Sequence, residues 1–202
     1  MQRSLAFLAA LSLCSSAYAQ APEFVREPAK VKAGTYELDA SHGKITWSLS
    51  HMGFSTYVGQ FTGVAATLTL NPAEPAASRL EASVKTESVS SLHPKLDAHL
   101  KNADFFDVAK YPTAAFKATR VTMVDADSAD IAGDLTLLGV TRPIVIRADF
   151  NQAGVHPVDK MYTIGFDGKT VIKRSEFGMK FALPMIGDDV TLHLEAEFKL
   201  RQ

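Results

Sequence analysis

The residues best suited to chemistry in this sequence are His93, Asp97 and His99, which lie close together, with His42, His51 and Arg174 elsewhere. Two imidazoles and a carboxylate are donor types found at zinc, which takes three or four such ligands in tetrahedral array. On a helix Asp97 follows His93 by one turn and shares its face, whereas His99 points elsewhere. No HExxH sequence and no cysteine pair accompanies them. No metal site is therefore expected. His99 beside Lys101 offers donors to a polar or anionic headgroup, or is simply a solvated helix residue. Arg174 leaves two readings open, pairing with an internal acid or meeting a phosphate. Hydrolytic chemistry lacks its G-x-S-x-G elbow. Neither a phosphate loop nor a dinucleotide fingerprint occurs. No catalytic residue is assigned, and the chain is not expected to be an enzyme.

The elements that must position these residues are mostly strands. Val190, Leu192, Leu194, Ala196, Phe198 and Leu200 alternate with polar or charged residues. Period two over such a run means a strand with one buried and one wet face. Ile45-Trp47-Leu49, Val64 to Leu70, Ile131 to Leu137 and Ile144 to Phe150 repeat the pattern. Asn71-Pro72, the Asp125 to Asp130 cluster, Gly154 and Asp167-Gly168 supply turns between them. Strands without alternating helices argue for an antiparallel sandwich or barrel. The barrel is preferred because a long strand spans ~35 Å and closure removes exposed edges. One segment differs. Pro94 suits a first helical position, Leu96, Leu100 and Ala103 share a helical face, and Asn102 can cap the end. This helix and the Asp104-Phe105-Phe106-Asp107 loop after it could cover one mouth.

The first residues read as an export signal. Arg3 precedes an apolar run from Leu5 to Leu13, and Ala17-Tyr18-Ala19 is a small-x-small cleavage site. Residues 1–19 are read as a cleaved signal peptide, 20–33 as a flexible leader with two prolines, and 34–202 as a single domain. The lone cysteine, Cys14, is lost with the signal, so stability rests on apolar burial rather than disulfides. The net charge of −1 has no long run of one sign. That excludes the electrostatic footprint of a nucleic-acid binder, and no second apolar stretch suffices to cross a bilayer.

Four stretches together resemble the YceI-like family of polyisoprenoid-binding proteins. They are Tyr36-Glu37-Leu38-Asp39 with Ser41-His42, and His51-Met52-Gly53-Phe54 running to Gly59-Gln60-Phe61. The third is His99 to Asp107 with Lys110-Tyr111-Pro112. The fourth is Gly133-Asp134-Leu135-Thr136 with Leu138-Gly139-Val140-Thr141. Arg174 with Phe177-Gly178 is a weaker fifth, and Gly43 stands where the family pattern often has serine. The resemblance implies an eight-stranded, lipocalin-like antiparallel barrel in the periplasm. It also implies an elongated apolar interior for a long isoprenoid, a polyprenyl phosphate or a quinone, with no other cofactor. A homodimer stays open.

An apolar interior fits such a ligand, since burial gains ~0.8 kcal/mol per CH₂-sized group. Trp47, Phe54, Phe61 and Phe116 are candidates to line it. So are Phe105, Phe106, Phe166 and Phe181, with His99 and Arg174 for a polar end. For each aromatic, plain core filling is the alternative. Two other functions stand beside binding. One is an enzyme acting on a small exported substrate through a histidine metal site. The other is a partner-binding domain with a solid core.

Overall fold

The computed structural model describes residues 24–201. The expected signal peptide, its cleavage site and Cys14 lie outside the described residues. Eight antiparallel staves close into a barrel, each beside its sequence neighbour and the last beside the first. The all-β architecture with one short helix is what the alternation predicted.

The first three staves are each broken in the middle. β2 (Gly34–Leu38) and β3 (Lys44–His51) form the first. β4 (Ser55–Phe61) and β5 (Val64–Leu70) form the second. β6 (Arg79–Lys85) and β7 (Val89–Ser90) form the third. The breaks lie side by side, and Lys85 N–H donates to the Gly63 carbonyl across two of them at 2.8 Å. Gly43 sits at the first break. A Cβ there would fall 2.5 Å from Leu38 Cδ2, so packing rather than a hydroxyl contact accounts for the glycine.

The other staves are continuous: β8 (Thr113–Met123), β9 (Ser128–Leu137), β10 (Val140–Val155), β11 (Tyr162–Lys173) and β12 (Asp189–Leu200). β9 and β10 join through Leu138 and Gly139, with φ of 53° and 74°. Positive φ at both positions is the hairpin turn that matches strand twist. Closure falls to β12. Its Thr191–Glu195 stretch pairs with β3, its Phe198–Leu200 end pairs with β2, and its other edge pairs with β11.

The helix α1 (Pro94–Leu100) lies where the sequence placed it. His93 is its N-cap, with Nδ1 accepting from Leu96 N–H at 3.2 Å. Leu96 and Leu100 face the core, but Ala103 is exposed beyond the helix end.

The described part of the expected leader packs on the barrel. β1 (Phe24–Val25) pairs with β10, and Val31 is buried. The buried Tyr36 hydroxyl donates to the Lys32 carbonyl at 2.6 Å, and burial pushes its pKa up. Apolar content outweighed the two prolines here. Val31 has an apolar barrel end to cover, which only the assembled barrel provides. Among the described residues no helix is long and apolar enough to cross a membrane.

Candidate functional site

Inward side chains gather into two apolar clusters, one beneath α1 and one at the opposite end. Each encloses a cavity. The far chamber has a volume of about 200 Å³, and the helix-side chamber about 130 Å³. The two cavities count against a solid core.

The far chamber exists because small residues occupy inward positions. Ala66, Ala82, Ala148, Ala196 and Gly168 line it where larger side chains would fill it. Phe150, Phe166 and Phe198 stack edge-to-face along one wall, with ring centroids 5.6 and 6.3 Å apart. Pro28 and Val31 lie at its end, with Pro72, Pro75 and Asp127 from the neighbouring turns.

The helix-side chamber is walled by bulkier residues. Trp47, Phe61, Phe105 and Phe106 line it. Phe105 and Phe106 are neighbours in sequence, and in a strand they would point to opposite faces. They lie in a turn, so both reach the interior. Phe106 meets Phe61 edge-on at 5.2 Å. Phe105, His99 and Phe181 form a mutual edge-to-face triad at 5.0–5.3 Å.

Phe116 lines neither chamber, although it is buried. Its ladder partner Leu135 lines the helix-side chamber, and Ile131, two inward positions along β9, lines the far one. The ring fills the space over Gly133, where a Cβ would sit 2.5 Å from Phe116 Cζ. Phe116 therefore separates the two volumes.

Arg174 is neither paired with an internal acid nor free to grip a phosphate. It is 2% exposed, and its guanidinium donates to four carbonyls. Nε reaches Gly187 at 2.8 Å and Nη2 reaches Ile186 at 2.8 Å. Nη1 reaches Met179 and Phe181 at 3.2 and 3.0 Å. All four belong to the β11–β12 connection, so Arg174 gathers that segment into a lid over the chamber it lines. Burial lowers the guanidinium pKa, opposed by the charge of Asp188. Met52 N–H to Met185 O and Gly187 N–H to Ser50 O, both 2.8 Å, fasten the lid to the β3–β4 hairpin.

The Lys110-Tyr111-Pro112 stretch anchors the loop after α1. The buried Thr86 hydroxyl donates to the Tyr111 carbonyl at 2.7 Å, and Thr86 N–H to Pro112 at 3.0 Å. The Tyr111 ring packs on Gly139, where a Cβ would fall 2.9 Å away. Two separate motifs thus meet at one contact.

Other predicted residues lie outside the cavities. Phe54 is 88% exposed at the tip of the β3–β4 hairpin and lines nothing, because the hairpin projects beyond the barrel mouth. Phe181 is partly exposed at the rim rather than inside. His99 also sits at the rim, its Nε2 2.9 Å from Asp104. The metal candidates are otherwise engaged. His93 caps α1, and Asp97 accepts from the Ser91 amide and hydroxyl at 2.6 and 2.5 Å. Among the described residues no group of three His, Cys, Asp or Glu side chains could hold a metal.

Sequence reasoning placed Ala196 in an inward row but did not read it, Ala66, Ala82 and Ala148 as leaving space for a chamber. It missed Val31 and the lid role of Arg174, which had no local signal.

Comparison with known proteins agrees with this geometry. A sequence profile of the YceI-like domain matches residues 36–198. A UPF0312 protein of Pseudomonas syringae pv. syringae is 36% identical over 200 residues, covering 98% of this chain and 97% of that one. BcnA of Burkholderia cenocepacia superposes with a TM-score of 0.72 at 20% identity, over 79% of this chain and 98% of its own. A domain from Saccharophagus degradans, described as polyisoprenoid-binding and implicated in plant cell wall breakdown, superposes with a TM-score of 0.62. Its identity is 15%, over 84% of this chain and 100% of its own.

Proposed function

The chain belongs to the YceI-like family, and from that premise we propose that it is a periplasmic binding protein for an isoprenoid lipid. Its task on this reading is to carry or store the lipid rather than transform it. The observation that carries the reading is the pair of apolar chambers along the barrel axis. The structural likeness to a polyisoprenoid-binding domain supports it.

The chambers also suggest a scale. An engineered apolar cavity of ~150 Å³ stays dry and accepts a benzene. The two chambers together are about twice that, room for on the order of a dozen carbons, or two to three isoprene units. A longer chain must protrude from a mouth or widen the passage beside Phe116. Burying even two units gains several kcal/mol before the cost of ordering the chain.

Native mass spectrometry of protein purified from its own host tests the proposal. The expected result is a bound mass that yields a polyprenyl phosphate or isoprenoid quinone on extraction. Protein that emerges empty, and stays empty when offered such lipids, would sink it.

A further inference from the structure

The barrel end that carries α1 shows apolar side chains to the outside as well as to its chamber. Leu92 is 94% exposed and Phe54 88%, the two most exposed large apolar residues among the described ones. Met52, Phe181 and Met185 stand half exposed at the same end. The backbone gathers these residues. Met52 N–H donates to the Met185 carbonyl, which sets the lid against the β3–β4 tip where Phe54 projects. β7 runs antiparallel to β4, so the chain leaving Ser90 heads toward that tip and places Leu92 on the way to α1. Met52 and Leu92 have φ of 53° and 61°. Asparagine and glycine are the ordinary occupants of that region, so methionine and leucine are not what these turns ask for.

Exposed apolar patches mark sites of protein or membrane interaction. Charge and shape choose between the two. Residues 51–55, 91–95 and 179–186 contain Lys95 and Lys180, both exposed, and no carboxylate. On the adjoining roof Asp97 is taken up by Ser91, and Asp104 lies 2.9 Å from His99. At the opposite end Val124 and Val158 stand next to Asp125 and Asp159, so carboxylates lie among the apolar tips there. The helix end is thus the one suited to an anionic surface. Its side chains project rather than line a groove, and a Cβ added at Gly53 would meet nothing within 4 Å. Projecting chains suit a fluid that closes round them, whereas a protein interface needs a closely packed centre. The lid also joins this surface to the interior. Met179 and Ile186 line the chamber, while Phe181 and Met185 of the same segment are exposed outside it.

We infer that this end of the barrel docks on an anionic bilayer surface, with Phe54 and Leu92 among the acyl chains and Lys95 and Lys180 at the lipid phosphates. The lid then lies against the membrane, and an isoprenoid passes between bilayer and helix-side chamber without its chain crossing water. The passage rests on the carrier reading, whereas the docking rests on the surface alone.

Vesicle flotation tests the docking, with protein purified from its own host. Vesicles of equal parts phosphatidylethanolamine and phosphatidylglycerol are compared with vesicles of phosphatidylcholine. The expected result is flotation with the anionic vesicles that weakens as salt rises. Phe54→Ser combined with Leu92→Ser should lower that binding on the order of tenfold or more. Its affinity for farnesyl phosphate in vesicle-free solution should be unchanged, since neither residue lines a chamber. Lys95→Glu combined with Lys180→Glu should cost about fivefold per lysine on anionic vesicles and nothing on phosphatidylcholine. This pair decides if the first variant does not fold. Equal flotation of variants and wild type would overturn the proposal. So would a wild-type dimer that Phe54→Ser with Leu92→Ser turns into a monomer, because a second copy would then cover the patch. Wild-type protein that floats with neither vesicle yet binds farnesyl phosphate overturns the docking and leaves the carrier reading standing. Protein that floats but binds no isoprenoid does the reverse.

Discussion

The far chamber takes its volume from small residues on regular strands, whereas the helix-side chamber takes its own from segments that are not strands. Ala66, Ala82, Ala148 and Ala196 thin the wall of the first. The second is roofed by α1, the Phe105-Phe106 turn and the lid gathered by Arg174. The strand-built chamber meets polar side chains such as Arg79, Asp127 and Ser128 near strand ends, and the one built from irregular segments has a buried guanidinium, Arg174, among its lining residues. A β-ladder satisfies its own polar groups, so polar chemistry enters where the ladder stops.

The largest effect should come from the lid. Arg174→Met removes four hydrogen bonds from a charged group and strands the carbonyls beneath it. The expected loss is ~3–5 kcal/mol, read from urea unfolding. Proteolysis should then begin between residues 178 and 188. A loss under ~1 kcal/mol would mean that the lid holds itself together.

Filling the far chamber is the converse test. Ala196→Phe should occupy tail space and leave the helix-side chamber intact. Excluding even three carbon groups at ~0.8 kcal/mol each weakens an isoprenoid on the order of fiftyfold. A titration with farnesyl phosphate reads this, and undiminished affinity would place the tail elsewhere.

A smaller effect lies on the outer wall of the far half. Lys199 bridges Asp39 and Asp159, at 2.6 Å from each. The Lys199 ammonium, then the Ser41 hydroxyl, holds the Asp39 carboxyl well below its ordinary range, against the opposing effect of burial. A carboxyl whose folded pKa is depressed contributes stability above its unfolded pKa and loses it as pH falls. Urea midpoints should therefore drop on acidification below about pH 4, and less steeply in Asp39→Asn. Equal slopes would remove Asp39 from the linkage. The smallest change belongs to Phe54→Ser, which should leave stability within ~0.5 kcal/mol because the ring touches neither chamber.

Much of the frame was legible in the residues. The β12 row alternates from Val190 to Leu200, and α1 announces itself by Pro94 and the Leu96–Leu100 pair. The breaks at 39–43, 62–63 and 86–88 were not legible, because each depends on the neighbouring stave also breaking there. The candidate site was legible in kind rather than in detail. Trp47, Phe61, Phe105, Phe106 and Phe166 do line cavities. Phe116 and Ile131 look alike in an alternating row, and only the barrel radius makes one a partition and the other a wall. Arg174 misled because a buried guanidinium is as well served by four carbonyls as by one phosphate, and nothing local distinguishes the two.

The seam where β12 meets both β2 and β3 has a consequence for how the chain comes together. The two halves of the first stave find their shared partner at the far end of the sequence. Contacts of such separation are made late, since a large loop must be ordered before they form. A chain emerging from its N-terminus can zip β2 through β11 into a curved sheet. That sheet keeps two open edges, each able to pair with another chain. The twelve residues of β12 remove both edges in one step. Truncation or slow release of this last strand should therefore produce aggregation far beyond what its short length suggests.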